Sequence, residues 1–403
     1  SSINELGGTF TTYGFLDAVT YLTIGYFIAP IAAILAIFKW NQNRETNPLL
    51  LHFVAWYPLA FLAWVYRYAL YSSITTAMAT ACLVSFIWLR PAKIQRMASV
   101  ILLVLAIVVP SLKLSAEAMH STVAPHSRYG LFGPRGTIHW IKNNTPVTSH
   151  YLNPGIEPEY GILADWDLGS YIYYGAERPS LATPFGWETH GFFEHAAFFA
   201  TASLNKAGEI AKANKIKYVL TTWRRSQKTY QDIALSGEAK GKIPTGTVSK
   251  KLFELDSMYY RLFYQDGGGY LFPDGYRHAV DTFRLVFESD YLGGLVPATG
   301  VIQSYYKIFE IVTGAIIKGK TTPHKDVVIS LNLSTGRGRL FEYRDFKKAD
   351  GNGEYFFRVP YATTSRQGDT QPATFYLISI SGEELRKVSV SEVEVINGKK
   401  IEL

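Results

Sequence analysis

The chain of 403 residues is long enough for two or three domains, and its charged residues are distributed unevenly. Residues 1–113 contain only seven of the 40 Lys and Arg residues and three of the 33 Asp and Glu residues. The net charge of +7 is shared between this part and the rest, which excludes the concentrated basic stripe of a nucleic-acid-binding protein. The single cysteine, Cys82, excludes an intrachain disulfide.

Four long apolar segments in the first part predict transmembrane helices, because a helix needs about 20 mostly apolar residues to cross a bilayer. The segments are residues 13–38, 49–66, 72–88 and 98–112. Lys39 and Arg44 follow the first segment, and Arg90 and Arg96 follow the third, so the positive-inside rule places both loops in the cytoplasm. The start of the chain and everything after Lys113 are then external. Because the chain begins at a serine, without an initiator Met, we expect it to be part of a longer membrane protein.

The sequence pattern of the external part predicts two domains. Helical patterns at residues 136–146 and 191–214 alternate with strand patterns at 160–164 and 216–222, which favours a mixed α/β core. Short strands at regular spacing after residue 301, the last of them at 387–395, favour a β-sandwich-like domain. The predicted fold is a multi-domain membrane protein in four parts: the end of an external loop (1–12), four transmembrane helices (13–113), an external mixed α/β domain (114–300) and a β-rich domain (301–403).

The most informative motif is Asp165-Trp166-Asp167-Leu168-Gly169, which follows the first predicted strand. An indole N–H can only donate a hydrogen bond and an ionised carboxylate can only accept one. Together they suit a hydroxyl group, which does both. Two alternatives remain open: a D-x-D site for Mg²⁺ or Mn²⁺ and a sugar phosphate, or a loop with a half-buried Trp and two solvated acids.

Arg67 lies between two tyrosines at the outer end of the second apolar segment. An ionisable side chain in a membrane segment is a candidate functional residue, and guanidinium is a preferred partner of phosphate. The alternative is an Arg that only anchors the helix at the membrane interface. His190 and His195 do not have the spacing of a zinc-protease motif, and we interpret them as structural.

In this order, these features resemble the catalytic subunit of oligosaccharyltransferases of the archaeal and bacterial single-subunit type. The family has a W-W-D-Y-G motif, to which residues 165–169 correspond, with Asp165 in place of the first Trp and Leu168 in place of the Tyr. The segments Trp140–Pro146 and Tyr218–Thr222 are similar to the motif's usual surroundings. Ser2-Ile-Asn-Glu5 is similar to the family's S-V-S-E or T-I-x-E loop, so the four predicted spans correspond to the last four of thirteen.

The resemblance implies transfer of an oligosaccharide from a polyprenyl (pyro)phosphate carrier to Asn in Asn-x-Ser/Thr acceptors. It implies that Glu5 is catalytic and binds Mn²⁺ or Mg²⁺, and that Arg67 holds the lipid phosphate or the acceptor. Trp166 and Asp167 would receive the Ser/Thr hydroxyl, beside Asp165. The segment Tyr230-Gln-Asp-Ile233 is the nearest match to a second family motif. Tyr230 and Ile233 would then bind the acceptor, and Ile233 would contact the Thr methyl group. Because the first nine spans are missing, we expect this portion to be inactive alone.

Two other functions remain open. The chain could belong to another glycosyltransferase of the same membrane superfamily that uses a lipid-linked sugar, with Asp165 and Asp167 as a metal site. It could also be a membrane-anchored module that binds sugar or protein without catalysis. In addition, Asn143-Asn-Thr145 and Asn332-Leu-Ser334 are themselves acceptor sequences, which suggests self-glycosylation as a hypothesis.

Overall fold

The computed structural model describes most of the chain after Pro134. The described residues are Met97, Ile101, 134–149, 151–152, 156–186, 189–223, 227–249, 254–272, 275–296, 301–381 and 385–403. Within these residues no helix has the length and apolar character needed to cross a membrane. The four predicted spans lie outside the described residues, apart from Ile101, and stay a prediction. The chain divides into two compact units, Ser1–Gly130 and Leu131–Leu403, and the second is described below.

The second unit begins with helices and strands in alternation and continues mainly as strands. Its helices are α1 (Arg135–Asn144), α2 (Gly169–Tyr171), α3 (Phe192–Ala200), α4 (Leu204–Ala213), α5 (Gln227–Ala239), α6 (Met258–Phe263) and α7 (Glu392–Asn397). A 3₁₀ turn (Trp166–Leu168) precedes α2 and a π-helical turn (Ile172–Ala176) follows it. A second 3₁₀ turn (Glu254–Asp256) precedes α6.

The strands form one mixed sheet, two sheets of the β-rich part and two small hairpins. They are β1 (Gly161–Leu163), β2 (Ile216–Thr222), β3 (Tyr270–Phe272), β4 (Gly275–Arg277), β5 (Phe283–Glu288), β6 (Leu292–Val296), β7 (Val301–Ser304), β8 (Tyr306–Ile311), β9 (Ala315–Lys320), β10 (Asp326–Ser334), β11 (Leu340–Lys348), β12 (Glu354–Val359), β13 (Gln371–Pro372), β14 (Tyr376–Ile380), β15 (Arg386–Val388) and β16 (Lys400–Glu402).

The mixed sheet has the strand order β1-β2-β8-β5 and forms the centre of the α/β part. β1 runs parallel to β2, with Leu163 opposite Val219, and the other neighbours are antiparallel. The sheet is almost entirely buried, and β2 consists of apolar residues and threonines apart from the half-buried Lys217, which suits a strand covered on both faces. The predicted α/β core is therefore confirmed. β8 lies inside this sheet, so the α/β part extends beyond the predicted boundary at residue 300.

The predicted helix over residues 191–214 is two helices, α3 and α4. α3 ends at Ala200, and Ser203 then accepts a hydrogen bond from the backbone N–H of Lys206 as the N-cap of α4. A serine that caps a new helix favours a break over a continuous helix. α3 brings Phe198 and Phe199, both fully buried, into the core of the α/β part.

The β-rich part contains two sheets that share one hydrophobic core, the arrangement of a β-sandwich. One sheet has the order β11-β10-β14-β15, with β13 also paired to β10, and the other has the order β12-β9-β16. The predicted strand over residues 387–395 is wrong in its second half. Ser391 and Glu394 form a capping box that begins α7, and Gly398, with φ of 63°, ends it.

Two charge clusters, one buried and one partly buried, join the mixed sheet to the β-rich part. In the first, Asp266 accepts hydrogen bonds from Lys307 at 2.7 Å and from Arg339 at 2.8 and 3.0 Å, and Arg339 also donates to Glu288 at 2.8 Å. In the second, Arg284 of β5 donates to Glu310 of β8 and to Glu392 of α7. The polar ends of these long side chains therefore fix how the two parts pack.

Candidate functional site

The Asp165 motif lies at the carboxyl end of β1, where the chain turns out of the mixed sheet. Asp165 is extended, with φ of −54° and ψ of 140°, and the backbone N–H of Leu168 donates back to its carbonyl oxygen at 3.0 Å. Since β1 and β2 are parallel, their carboxyl ends meet at one edge of the sheet, the position where open α/β sheets bind ligands. Thr222 therefore ends β2 beside the motif.

Asp165 points into the protein and not towards solvent. Its side chain is buried, and Oδ2 accepts a hydrogen bond from Oγ1 of Thr222 at 3.0 Å. The hydroxyl of Tyr259 on α6 donates to the carbonyl oxygen of the same threonine at 2.7 Å. Burial raises the pKa of Tyr259 well above its ordinary value, and the nearby Tyr264 and Asp165 raise it further, so this phenol stays a donor. Asp165 is thus part of a buried hydrogen-bonded support beneath the motif.

Trp166 and Asp167 are less buried than Asp165. Both residues are only half-buried in the 3₁₀ turn, and the Trp166 ring lies 6.2 Å from the ring of Phe192 at the start of α3. The indole and the second carboxylate therefore retain surface that a ligand can reach, while the first carboxylate does not.

Gly169 is required by a close approach of the backbone. A Cβ atom added at this position would lie 2.2 Å from the carbonyl oxygen of Ala182 and 2.8 Å from Cα of Thr183. Backbone atoms cannot move aside as the end of a side chain can. The motif therefore ends in glycine because the segment after Ser180 crosses directly over it.

Helix α5 carries the second predicted group. Tyr230 is 1% exposed, and its ring lies 4.8 Å from that of Phe199 and 5.4 Å from that of Tyr259. It is a core residue, and its role in acceptor binding stays a prediction. Ile233 on the same helix is only half-buried. Tyr259 contacts both Thr222 and Tyr230, so α5 packs on the same hydrophobic core as the residues beneath the motif.

Sequence reasoning missed Thr222 and Tyr259 as partners of the motif. Thr222 is 57 positions from Asp165, and no local pattern reports a contact at that separation. The signal that could have indicated this contact is the position of Thr222 at the end of a predicted strand, since parallel neighbouring strands end on the same side of a sheet.

The two predicted residues near the membrane, Glu5 and Arg67, lie outside the described residues. In the part of the chain that the structure describes, His, Cys, Asp and Glu side chains do not form a group of three that could hold a metal ion. In this buried position, with its Oδ2 bonded to Thr222, Asp165 does not fit a D-x-D metal site shared with the half-buried Asp167.

Two segments of the chain match families of known proteins. Residues 134–226 match the family described as the AglB core domain, and residues 314–401 match the archaeal glycosylation protein B long peripheral domain. The resemblance to the C-terminal part of an oligosaccharyltransferase catalytic subunit is confirmed. The core-domain match contains the Asp165 motif, and the peripheral-domain match spans most of the β-sandwich.

Individual relatives agree with this assignment. The chain is 22% identical to dolichyl-phosphooligosaccharide-protein glycotransferase 3 of Archaeoglobus fulgidus in an alignment that covers 98% of this chain and 55% of that protein. It is 31% identical to glycotransferase 1 of the same organism over 84 residues, which are 21% of this chain and 14% of the relative. The chain thus spans about half the length of the first relative.

Solved structures show the same fold. The chain matches archaeal oligosaccharyltransferase AglB from Archaeoglobus fulgidus, in complex with an inhibitory peptide and a dolichol-phosphate, with a TM-score of 0.69 and 20% identity over 96% of this chain and 57% of that one. A second match is a structure of an oligosaccharyltransferase of that organism that is tethered to an acceptor peptide containing the NVT sequon. Its TM-score is 0.67 and its identity is 19%, over 98% of this chain and 58% of that one.

Proposed function

We propose that this chain is the acceptor-binding, C-terminal portion of an oligosaccharyltransferase. The reaction is transfer of an oligosaccharide from a polyprenyl (pyro)phosphate carrier to the side-chain amide of Asn in Asn-x-Ser/Thr. The two AglB domains and the fold shared with relatives that hold dolichol-phosphate or an acceptor peptide support this proposal. The activity belongs to the longer protein, and this portion alone is expected to be inactive.

The observation that carries the proposal is the difference in burial between the two carboxylates of the motif. Asp165 is buried against Thr222, while Trp166 and Asp167 keep exposed surface at the carboxyl edge of the sheet. An indole N–H and a carboxylate oxygen there can donate to and accept from one Ser/Thr hydroxyl. One such hydrogen bond contributes roughly 0.5–1.5 kcal/mol. A site that hydrogen-bonds a ligand hydroxyl binds ligands without that hydroxyl more weakly, because the polar groups of the site are then left unpaired.

Ile233 would contact the methyl group of an acceptor threonine. It is half-buried on α5, which shares its core with the motif through Tyr259. Burying one methyl-sized group contributes at most about 0.8 kcal/mol, so this contact would give a modest preference for Thr over Ser.

The catalytic groups of the proposal lie near the membrane. Glu5 would bind Mn²⁺ or Mg²⁺, with further ligands in the longer protein, and orient the acceptor amide. Arg67 would stabilise the charge of the lipid phosphate. The enzyme would be a multi-pass membrane protein with residues 114–403 on the external side, where lipid-linked oligosaccharide and acceptor polypeptide meet.

Acceptor binding by the intact protein tests the proposal. Three peptides that differ only by Thr, Ser or Val two residues after Asn are titrated by calorimetry. We expect the Val peptide, which keeps the shape of Thr but lacks the hydroxyl, to bind about tenfold more weakly. Asp167→Ala should abolish the difference, and Asp326→Ala, at an exposed carboxylate at the start of β10, should preserve it.

Two results would favour the other functions. Metal-dependent binding of a sugar phosphate that is lost in Asp167→Ala, with no dependence on the peptide, indicates a different lipid-linked-sugar glycosyltransferase. Indifference to both ligands indicates a non-catalytic binding module.

A further inference from the structure

A closed series of side-chain contacts lies beneath the Asp165 motif. On one side of the series, the Trp166 ring lies 6.2 Å from that of Phe192, and the Phe192 ring lies 5.6 Å from that of His195. The His195 ring lies 6.3 Å from that of Tyr230 on α5. These distances between ring centroids are within the range of aromatic pairs. Because His195 is 0% exposed, its imidazole is a core group between the indole of the motif and α5.

The other side of the series returns to the motif through hydrogen bonds. The ring of Tyr230 lies 5.4 Å from that of Tyr259, and the hydroxyl of Tyr259 donates to the carbonyl oxygen of Thr222. The hydroxyl of Thr222 donates in turn to Asp165, the residue before Trp166. Two neighbouring residues of the motif are therefore connected to each other through α3, α5, α6 and β2. The position of the indole depends on all four elements.

The sequence of α3 places three aromatic side chains on the face that takes part in this series. Phe192, His195 and Phe199 are spaced at i, i+3 and i+7, which is one face of a helix. The planes of the two rings next to His195 make angles of 66° and 83° with its own, so both contacts are edge-to-face. This is a preferred geometry of aromatic pairs, and it constrains how each ring is turned relative to the next.

The backbone on both sides of the indole is held by close approaches. A Cβ added at Gly191, which precedes α3, would lie 1.9 Å from the carbonyl oxygen of Leu181. A Cβ added at Gly169 would lie 2.2 Å from the carbonyl oxygen of Ala182. The segment with these two carbonyl groups is therefore packed against the motif and against the start of α3. What remains free to move at Trp166 is the rotation of its side chain, which a neighbouring ring can restrict.

We propose that His195 is a positioning residue of the acceptor site. Its imidazole holds Phe192 against the indole of Trp166. It also connects that indole to Tyr230 on α5, the helix that carries Ile233. The indole is then oriented before the acceptor arrives, and a preorganised site loses less freedom on binding. This inference rests on the proposed function, in which Trp166 donates to the Ser/Thr hydroxyl.

Calorimetric titration of the intact protein with the Thr and Val acceptor peptides tests the role of His195. The Kd reports the acceptor site and the binding stoichiometry reports the folded fraction, so a loss of stability alone does not change the Kd. His195→Leu removes both edge-to-face contacts, and we expect the Kd of the Thr peptide to rise about two- to tenfold. The ratio of the Thr and Val affinities should fall by a similar factor. His195→Phe keeps a ring and should bind within about twofold of the wild type.

Phe198→Leu is the matched control. Phe198 is fully buried on the same helix, but its ring packs on those of Phe199 and of Phe283 on β5. This variant should lower the melting temperature and leave the Kd of the Thr peptide unchanged. Phe192→Leu, at a half-buried position, should raise that Kd as His195→Leu does, and it serves as the test if His195→Leu does not fold.

The inference is overturned if the Leu variants at His195 and Phe192 bind the Thr peptide as Phe198→Leu does, since the contacts would then contribute to stability alone. It is also overturned if His195→Phe binds as weakly as His195→Leu, because a ring would then not be what matters. Failure of the proposed function gives a different result. The wild-type protein would then bind the Thr and Val peptides equally, and the inference would fall with it.

Discussion

At the scale of single residues, the contact between Asp165 and Thr222 separates the two carboxylates of the motif. Its 3.0 Å hydrogen bond draws the first carboxylate into the core, and the 3₁₀ turn that follows leaves Asp167 half-exposed. The extra acid of this chain, relative to the W-W-D-Y-G pattern, is therefore best explained as a positioning residue for its neighbours.

Thr222→Val keeps the shape of the side chain and removes the hydroxyl donor. We expect the free energy of unfolding to fall by roughly 1–2 kcal/mol, because a buried carboxylate loses a partner. Acceptor-peptide affinity should fall with it, since the motif loses its support. Chemical denaturation and calorimetry measure the two effects. Thr222→Ser, which keeps the hydroxyl, is the control, and equal stability of the Val and Ser variants would contradict the assignment.

Gly169 and Gly208 give a matched pair of substitutions. Gly169→Ala places a Cβ 2.2 Å from a backbone oxygen, so we expect a loss of about 2–3 kcal/mol in unfolding free energy. Gly208→Ala on α4 meets nothing within 4 Å and should stabilise by about 0.5–1 kcal/mol, because Ala favours a helix. Thermal unfolding of the two variants distinguishes them. Similar melting temperatures would show that the crossing segment can move away.

At the scale of secondary-structure elements, both acceptor sequences of the chain are incorporated into regular structure. Asn143 lies on α1, and the hydroxyl of Thr145 donates to the carbonyl oxygen of Ile141 at 2.7 Å while accepting from Arg178 Nε at 3.0 Å. Asn332 lies in the middle of β10, and its carbonyl oxygen accepts from the backbone N–H of Ala373. The hydroxyl that an acceptor site must read at Asn143 is therefore already in use.

We expect Asn143 and Asn332 to be unmodified in protein isolated from its native host. Peptide mass spectrometry with site-resolved glycan mapping measures their occupancy. A glycan on Asn143 would mean that modification precedes folding of α1 and would contradict protection by the fold.

The elements with local signals were predictable from the sequence. β2 was visible as an apolar run and β10 as an alternating one, since one is covered on both faces and the other on one. The strand predicted over 387–395 ignores the capping signal of Ser391 and Glu394, which begins α7 instead. The burial of Tyr230 is not predictable from the local sequence, because it depends on Phe199 and Tyr259, which are distant in the sequence.

At the scale of the whole unit from Leu131 to Leu403, buried charges bind the mixed sheet to the β-sandwich. Lys307 is fully buried, and its ammonium group donates to Asp266 and to the carbonyl oxygen of Phe263, each at 2.7 Å. Breaking a buried charge cluster by removing one member typically costs about 3–5 kcal/mol, because the remaining charges are left without compensation.

The cluster predicts acid sensitivity. Burial alone would raise the pKa of Asp266, but Lys307 and Arg339 hold it below its usual value. A carboxyl whose pKa is lower in the folded protein stabilises above its unfolded pKa, and that contribution is lost as the pH falls through the folded pKa. We therefore expect the melting temperature to fall as the pH drops below about 4, the ordinary pKa of an Asp carboxyl. Asp266→Asn should lower stability at neutral pH and reduce this slope. An unchanged slope would place the acid-sensitive group elsewhere.

The two charge clusters also determine how a mechanical load passes through the unit. Arg284 joins β5 and β8 to α7, and Arg339 joins β5 to the loop that contains Asp266. A force applied to the end of the β-sandwich would therefore reach the central strands of the mixed sheet through these side chains. In single-molecule stretching, the sheet and the sandwich would then rupture together in one step.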